Sequence, residues 1–193
     1  MLLLHSCCGP CSAAAIHNLK DMNVEVISYF YNPNIYPYEE YIKRLDNYEK
    51  VMNLFQIKYI TFRYSKEEYL IEHKKWLEFV NKANETFREN GKHCELCIKY
   101  RLMKASQFAK ENNIQRIATT LTSSSRKDIN MILKVGEEFN LEPFIFRKNN
   151  GYNFSIKFCK ENNIYRQNYC GCEFSKSLSE KLILQSSRSM QDR

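Results

Sequence analysis

With 193 residues, 44% hydrophobic and 13% aromatic, and only five Gly and four Pro, the chain is sized and composed for one packed domain, which excludes disordered, collagen-like and linker-rich classes. No apolar run nears the roughly 18 residues a spanning helix needs, and the Met1 to Leu4 run is cut by His5, Ser6 and the first cysteines, so neither a membrane span nor a signal peptide is expected. The formal charge of +7, from 29 basic against 22 acidic residues, mildly favours an anionic partner such as RNA over a neutral one.

In chain order, Leu2 to His5 and Val24 to Tyr31 read as buried strands around an Ala-rich helix from about Ser12 to Asp21. Pro33 and Pro37 hold Asn32 to Tyr38 as an extended loop, and a helix follows over Glu39 to Phe55. Ile57 to Tyr64 reads as a third strand. Ser65 with Glu68 three residues on is a capping box for a helix over Glu67 to Ala83. Cys94 to Asn112 is helical, with Leu96, Tyr100, Met103 and Phe108 on one stripe. Ile114 to Thr120 is a strand, Thr122 to Ser125 a polar loop, Asp128 to Phe139 a helix and Pro143 to Arg147 a strand. Lys148 to Tyr169 reads as irregular, and a last helix spans Ser175 to Leu184 before a polar, frayed tail. The alternation predicts an α/β fold, a mostly parallel sheet with helices on both faces, as a single catalytic domain over residues 1–185 with a tail over 186–193. Chemistry in such sheets gathers beyond the C-terminal strand ends, where the first cysteines lie.

Seven of the eight cysteines form three knots: Cys7, Cys8 and Cys11; Cys94 and Cys97; Cys170 and Cys172. In a chain with no export signal they point to a reducing cytoplasm, where clustered thiols mean metal binding or redox chemistry. Gly9 is read as allowing a sharp turn and Pro10 as opening a helix, whose N-terminal dipole favours thiolates. Cys94 and Cys97 lie one helical turn apart, a spacing shared by zinc, thioredoxin-like and iron–sulfur sites. Cys170-Gly171-Cys172 can close a small strained ring, which favours a redox couple over a metal site. Seven thiols exceed the four ligands of one ordinary site, leaving one metal centre plus a dithiol, or two metal centres. Cys159 is read as a structural thiol.

Phosphate-cradling glycine motifs and a serine triad are absent, and the four histidines lack metal-ligand spacing. His5, at a strand end beside Cys7, fits a packed or a proton-handling role; His93 precedes Cys94, and His17 and His73 are expected at the surface. The loop carrying Asn32, Asn34 and Tyr36 has the amides and aromatics to engage a nucleobase, and Arg126 and Lys127 sit where a helix start could bind phosphate.

Leu3-Leu4-His5-Ser6-Cys7-Cys8-Gly9-Pro10-Cys11-Ser12, Tyr31 to Ile35, Cys94-Glu95-Leu96-Cys97 with Arg101-Leu102, Thr119-Thr120-Leu121, Phe146-Arg147-Lys148 and Tyr165 to Cys172 together resemble the QueH-type epoxyqueuosine reductases, in order, over roughly Leu2 to Ser175. The resemblance implies a pyrophosphatase-loop-like, Rossmann-like sheet and two-electron removal of the epoxide oxygen of epoxyqueuosine, at the anticodon wobble position of tRNA, to give queuosine. It implies a 4Fe-4S cluster on Cys7, Cys8, Cys94 and Cys97 and a redox-active pair at Cys170 and Cys172, and leaves Cys11 as candidate ligand of an additional mononuclear iron. Tyr36, Ile98 and Ser125 depart from the family pattern around the substrate loop.

Deoxygenation takes two electrons, whereas such a cluster passes one at a time, so the dithiol or a second iron would store the other. An open metal position would act on the epoxide oxygen as a Lewis acid, and Asp128, Tyr169 and His5 are the proton-donor candidates. An unidentified electron donor completes the expected partners. The rival readings are an iron–sulfur or thiol-dependent tRNA sulfur-transfer or redox enzyme, and a non-catalytic, zinc-stabilised RNA-binding module.

Overall fold

The computed structural model describes residues 1–180. Four strands, β1 (Leu2–His5), β2 (Val26–Phe30), β3 (Lys58–Thr61) and β4 (Arg116–Thr119), form one all-parallel sheet in the order β3-β2-β1-β4. β1 is central: Leu2 pairs with both Val26 and Arg116, and His5 with both Tyr29 and Thr119. A strand buried on both faces needs apolar side chains throughout, which explains why Leu2, Leu3 and Leu4 run without alternation.

The pleat sorts those leucines. Leu2 and Leu4 pack with α1 (Gly9–Asp21), α2 (Tyr38–Phe55) and Cys159 of α6 (Gly151–Glu161) on one face. Leu3 packs on the other with Trp76 of α3 (Lys66–Val80) and Tyr100 and Ala105 of α4 (Lys92–Glu111). Each fully buried leucine stabilises the sheet by about 1.5–3 kcal/mol. α5 (Ile129–Glu137) closes a third cluster, in which Ile132 and Val135 meet Ile98 and Leu102 of α4. Helices on both sides of a parallel sheet make this the α/β, Rossmann-like architecture expected. Among the described residues no helix is long and apolar enough to cross a membrane.

The capping box forms: Ser65 Oγ accepts from Glu68 N, and the Glu68 carboxylate accepts from Ser65 N. The stripe of Leu96, Tyr100, Met103 and Phe108 faces the second cluster. α1 begins at Gly9, so Cys8 is its N-cap and Cys11 lies in its first turn. Gly9 makes no left-handed turn; it lets two helices approach, since a Cβ there would sit 2.8 Å from the Asn47 carbonyl oxygen of α2.

Several expectations are corrected. Pro143 to Arg147 forms no strand, because Pro143 has no N–H and the ladder ends at a single Ile117–Leu141 bridge with Glu142 N bonded to Ile117 O. The supposedly irregular 148–169 stretch contains α6, entered through left-handed Asn149 and Asn150. Thr120–Ser123 is a 3-10 turn that takes in the first residues of the predicted polar loop. His73 is buried: its Nδ1 bonds Pro33 O at 2.7 Å and its ring stacks beside Tyr36 and Tyr69. Residues 173–180 are helical, and the rest of the predicted last helix and the tail lie outside the described residues.

Candidate active site

The C-terminal end of β1 delivers the first knot. Beyond His5 the chain leaves the sheet, Cys8 adopts extended backbone and α1 starts, so Cys7 and Cys8 sit at a helix entrance and Cys11 projects from its first turn. The three sulfurs lie within 4.8 Å of one another, with Cys7 and Cys8 3.7 Å apart. Cys7 N donates to Thr120 Oγ1 at 3.0 Å, and that hydroxyl donates to Cys7 Sγ at 3.3 Å, fastening the knot to the end of β4. Gln167 Nε2 donates to Cys8 Sγ at 3.0 Å. Hydrogen bonds from Cys11, Cys8 and Thr120 hold Cys7 well below the ordinary thiol range, while their hydrogen bonds to Cys7, then burial, push Cys11 well up and Cys8 up to about 12. One thiolate shared by three sulfurs is a preorganised donor set for a metal.

Cys7 and Cys11 open onto a cavity of about 210 Å³, whose wall also includes Cys94, Cys170, Cys172, Asn34, Tyr169, Arg126 and Lys127. All three cysteine knots therefore contribute to one cavity. Cys97, one turn beyond Cys94 on α4, lies back in the second core cluster with Cys172. Cys7, Cys8 and Cys11 form a donor set that could hold a metal, and Cys94 of the helical C-x-x-C lines the same cavity. Cys11, rather than Cys94 or Cys97, shares with Cys7 and Cys8 the group of sulfurs that lie within 4.8 Å of one another.

The dithiol loop is held from three sides. Gly171 has φ +130°, a conformation that L side chains rarely adopt, and a Cβ there would come within 2.7 Å of Arg44. Arg44 of α2 is buried and donates to the carbonyls of Cys170 at 3.0 Å and Tyr169 at 3.2 Å, while Nε pairs with Glu40 at 2.6 Å. Gly171 O accepts from Tyr36 N at 2.8 Å. Cys170 and Cys172 are free thiols.

Cations surround these sulfurs. Lys127 Nζ lies 3.1 Å from Cys170 Sγ. Burial raises the Cys170 thiol, but Lys127, Arg101 and Arg44 outweigh it and hold it below its ordinary value. Cys172, buried beside that charge, is pushed up to about 12. Arg101 of α4 is buried and donates to Asn32 Oδ1 at 3.2 Å; burial opposes its charge, but Cys97, Cys170, Cys7 and Cys172 outweigh that and keep it charged.

The remaining candidates divide. Asn34 lines the cavity with its Oδ1 unpartnered among the described residues. Asn32 is behind the wall, where Nδ2 donates to Ser6 O at 2.8 Å and ties β1 to β2. Tyr36 is exposed, its ring stacked near His73. Arg126 is at the rim, donating to Asn168 O at 2.6 Å. Tyr169 lines the cavity, its hydroxyl bonded to Tyr36 O and its proton retained by burial. Asp128 caps α5 by accepting from Asn130 N at 2.9 Å and Met131 N at 3.3 Å, outside the cavity wall. His5 is buried on Thr119 Oγ1 at 2.8 Å; burial and Arg101 bring its pKa down to about 3, so it is neutral near pH 7. His93 is buried against Phe87 and Phe174.

Arg44 borders this chemistry without having been singled out from sequence, and Arg101, Arg166 and Gln167 entered only as parts of motifs. Arg101 carried a signal: four residues after Cys97 on a helix, it shares that thiol's side.

Among known proteins, a family model described as epoxyqueuosine reductase QueH matches residues 2–178. An epoxyqueuosine reductase QueH of Thermotoga maritima is 37% identical over 180 residues, covering 90% of this chain and 89% of the relative. Its counterpart in Staphylococcus epidermidis is 34% identical over 182 residues, covering 90% of this chain and 75% of the relative. That of Streptococcus pyogenes is 33% identical over 183 residues, covering 90% and 69%. A match of this extent takes in every residue of the cavity wall, and it places the chain in the epoxyqueuosine reductase QueH family.

Proposed function

We propose that the chain reduces epoxyqueuosine in tRNA to queuosine, with the reaction run in the cavity where the three cysteine knots meet. The observation that carries this reading is a dithiol and a separate sulfur knot facing the same cavity. Removing the epoxide oxygen takes two electrons and two protons and yields an alkene and water, and a dithiol closing to a disulfide releases that number of each.

Cys7, Cys8, Cys94 and Cys97 would hold a 4Fe-4S cluster, with Cys11 left for an additional mononuclear iron. Such a cluster supplies electrons one at a time. The protein's own residues do the rest. Cys170 and Cys172 form the two-electron store, Asn34 offers a buried amide oxygen to a polar edge of the base, and Arg126 with Arg166 meets flanking phosphates at the rim. Tyr169, a protonated phenol in the wall, is the best placed of the three proton-donor candidates, because His5 is neutral and buried and Asp128 is engaged as a cap.

The test is iron, zinc and acid-labile sulfide per chain on anaerobically purified protein, followed by mass spectrometry of epoxyqueuosine-containing tRNA. About four iron and four sulfide, a brown chromophore bleached by dithionite and a product lighter by one oxygen are expected. Cys172→Ser should keep its iron and lose turnover. Zinc without sulfide after anaerobic reconstitution would overturn the reading in favour of an RNA-binding module, and a product that gains sulfur would make the protein a sulfur-transfer enzyme.

A further inference from the structure

We infer that Lys127 is the ammonium partner that makes Cys170 the reactive sulfur of the Cys170 and Cys172 pair, with Cys172 as the second, resolving thiol; this assignment rests on the redox-pair reading above. The two sulfurs of this short loop have different surroundings. Cys170 Sγ receives Lys127 Nζ at 3.1 Å and lies in the cavity wall, half-buried. Cys172 is buried and meets Ser175 instead: its thiol donates to the serine Oγ and its sulfur accepts from the serine backbone N, each at 3.4 Å. A cation lowers the cost of a thiolate, whereas neutral donors do so far less.

The charged and titratable groups facing Cys170 come from four elements. They are Lys127 from the segment before α5, Arg101, Cys94 and Cys97 from α4, Arg44 from α2, and Cys172 from the same loop. Arg44 spends its hydrogen bonds on Glu40 and two backbone carbonyls, and Arg101 spends its on Asn32 and the Cys97 carbonyl. Lys127 is the cation whose charged tip is in hydrogen-bond contact with the sulfur. Read from sequence, Lys127 is a phosphate ligand at a helix start; in the fold its ammonium is turned inward onto a thiol.

The redox balance follows. The Cys170 thiolate and the Cys172 thiol form one S–S bond, releasing two electrons and the Cys172 proton. The epoxide takes up those electrons and two protons, one from Cys172 and one passed on by Tyr169, which regains it from solvent, and its two C–O bonds give way to a C=C bond and water. Lys127 stays protonated throughout and sets which sulfur carries the charge at the start.

Pulse alkylation tests this without relying on turnover. Reduced, anaerobically purified full-length protein is treated with iodoacetamide from about pH 5 to pH 10, quenched and digested with trypsin. The Gln167 to Lys176 peptide carries both thiols, and fragment ions read Cys170 and Cys172 separately across Gly171. Cys170 should label at least about tenfold faster than Cys172 near pH 7, with its midpoint below the ordinary thiol range. Lys127→Met should move that midpoint upward by about one unit or more, and Lys127→Arg should retain most of the wild-type profile. Faster labelling of Cys172, equal rates at the two thiols, or a Cys170 profile unmoved in Lys127→Met would each overturn the inference. The wild-type comparison stands even where Lys127→Met does not fold. Failure of the redox-pair reading looks different: Cys170→Ser and Cys172→Ser would both keep turnover, whatever the alkylation profile.

Discussion

Replacing Arg44 with Met tests whether the dithiol loop owes its position to a buried guanidinium. Arg44 is 2% exposed and its partner Glu40 has a side chain 11% exposed, so the pair is shielded from water and salt. The substitution leaves the Tyr169 and Cys170 carbonyls without their charged donor and strands a carboxylate whose remaining contact is the Tyr165 hydroxyl, 3.2 Å from both oxygens. Breaking one side of a buried pair costs about 3–5 kcal/mol, in line with about 1.5–3 kcal/mol for each hydrogen bond made by a charged group. Urea denaturation followed by circular dichroism should show a loss of that size if the loop unfolds with the rest. If the loop lets go locally, hydrogen exchange at residues 169–172 should accelerate while the global transition holds. Glu40→Gln, which keeps an acceptor for Arg44, should cost about 1–2 kcal/mol. Arg44→Met within about 0.5 kcal/mol of wild type together with unchanged exchange in the loop would refute the reasoning.

Gly9→Ala forces a Cβ to within 2.8 Å of the Asn47 carbonyl, and prying α1 from α2 should cost about 1–3 kcal/mol, seen as a lower urea midpoint and weaker iron retention. Ser65→Ala removes a capping box far from the cavity and should lower stability by about 1 kcal/mol while leaving turnover unchanged. On the ligand assignment proposed above, Cys11→Ser should keep acid-labile sulfide and lose iron in excess of the cluster, whereas Cys94→Ser should lose both iron and sulfide. Sulfide lost with Cys11→Ser would move Cys11 into the cluster set.

Much of the fold was legible because its signals are local. Three consecutive leucines announce a strand covered on both faces, and Ser65 with Glu68 announces a helix start by its own hydrogen bonds. α6 was not legible: its Gly-Tyr-Asn-Phe opening has poor helix formers, and its order comes from Phe154 and Phe158 stacking with each other and Phe55, and from Ser155 donating to Pro10 O. Pro143 to Arg147 looked like a strand by composition, yet the pairing stops at the Ile117–Leu141 bridge just before it. The thiols of the site could be listed from spacing, but their charge states could not, because these depend on Arg44, Arg101 and Lys127 arriving from three distant segments. Arg44 sits on the buried stripe of α2 with Tyr41, Leu45 and Tyr48, but an arginine is not read as buried from sequence, since charged helical residues ordinarily face water.

The bond from Gln167 to Cys8 joins residues 159 positions apart, and the one from Cys7 to Thr120 spans 113. Nearly the whole chain must therefore be in place before the cavity has walls. Contacts that distant carry the closure entropy of long loops. The first knot thus gains its opposing wall only where the C-terminal segment is docked, and a chain cut short of Gln167 would leave those sulfurs facing solvent.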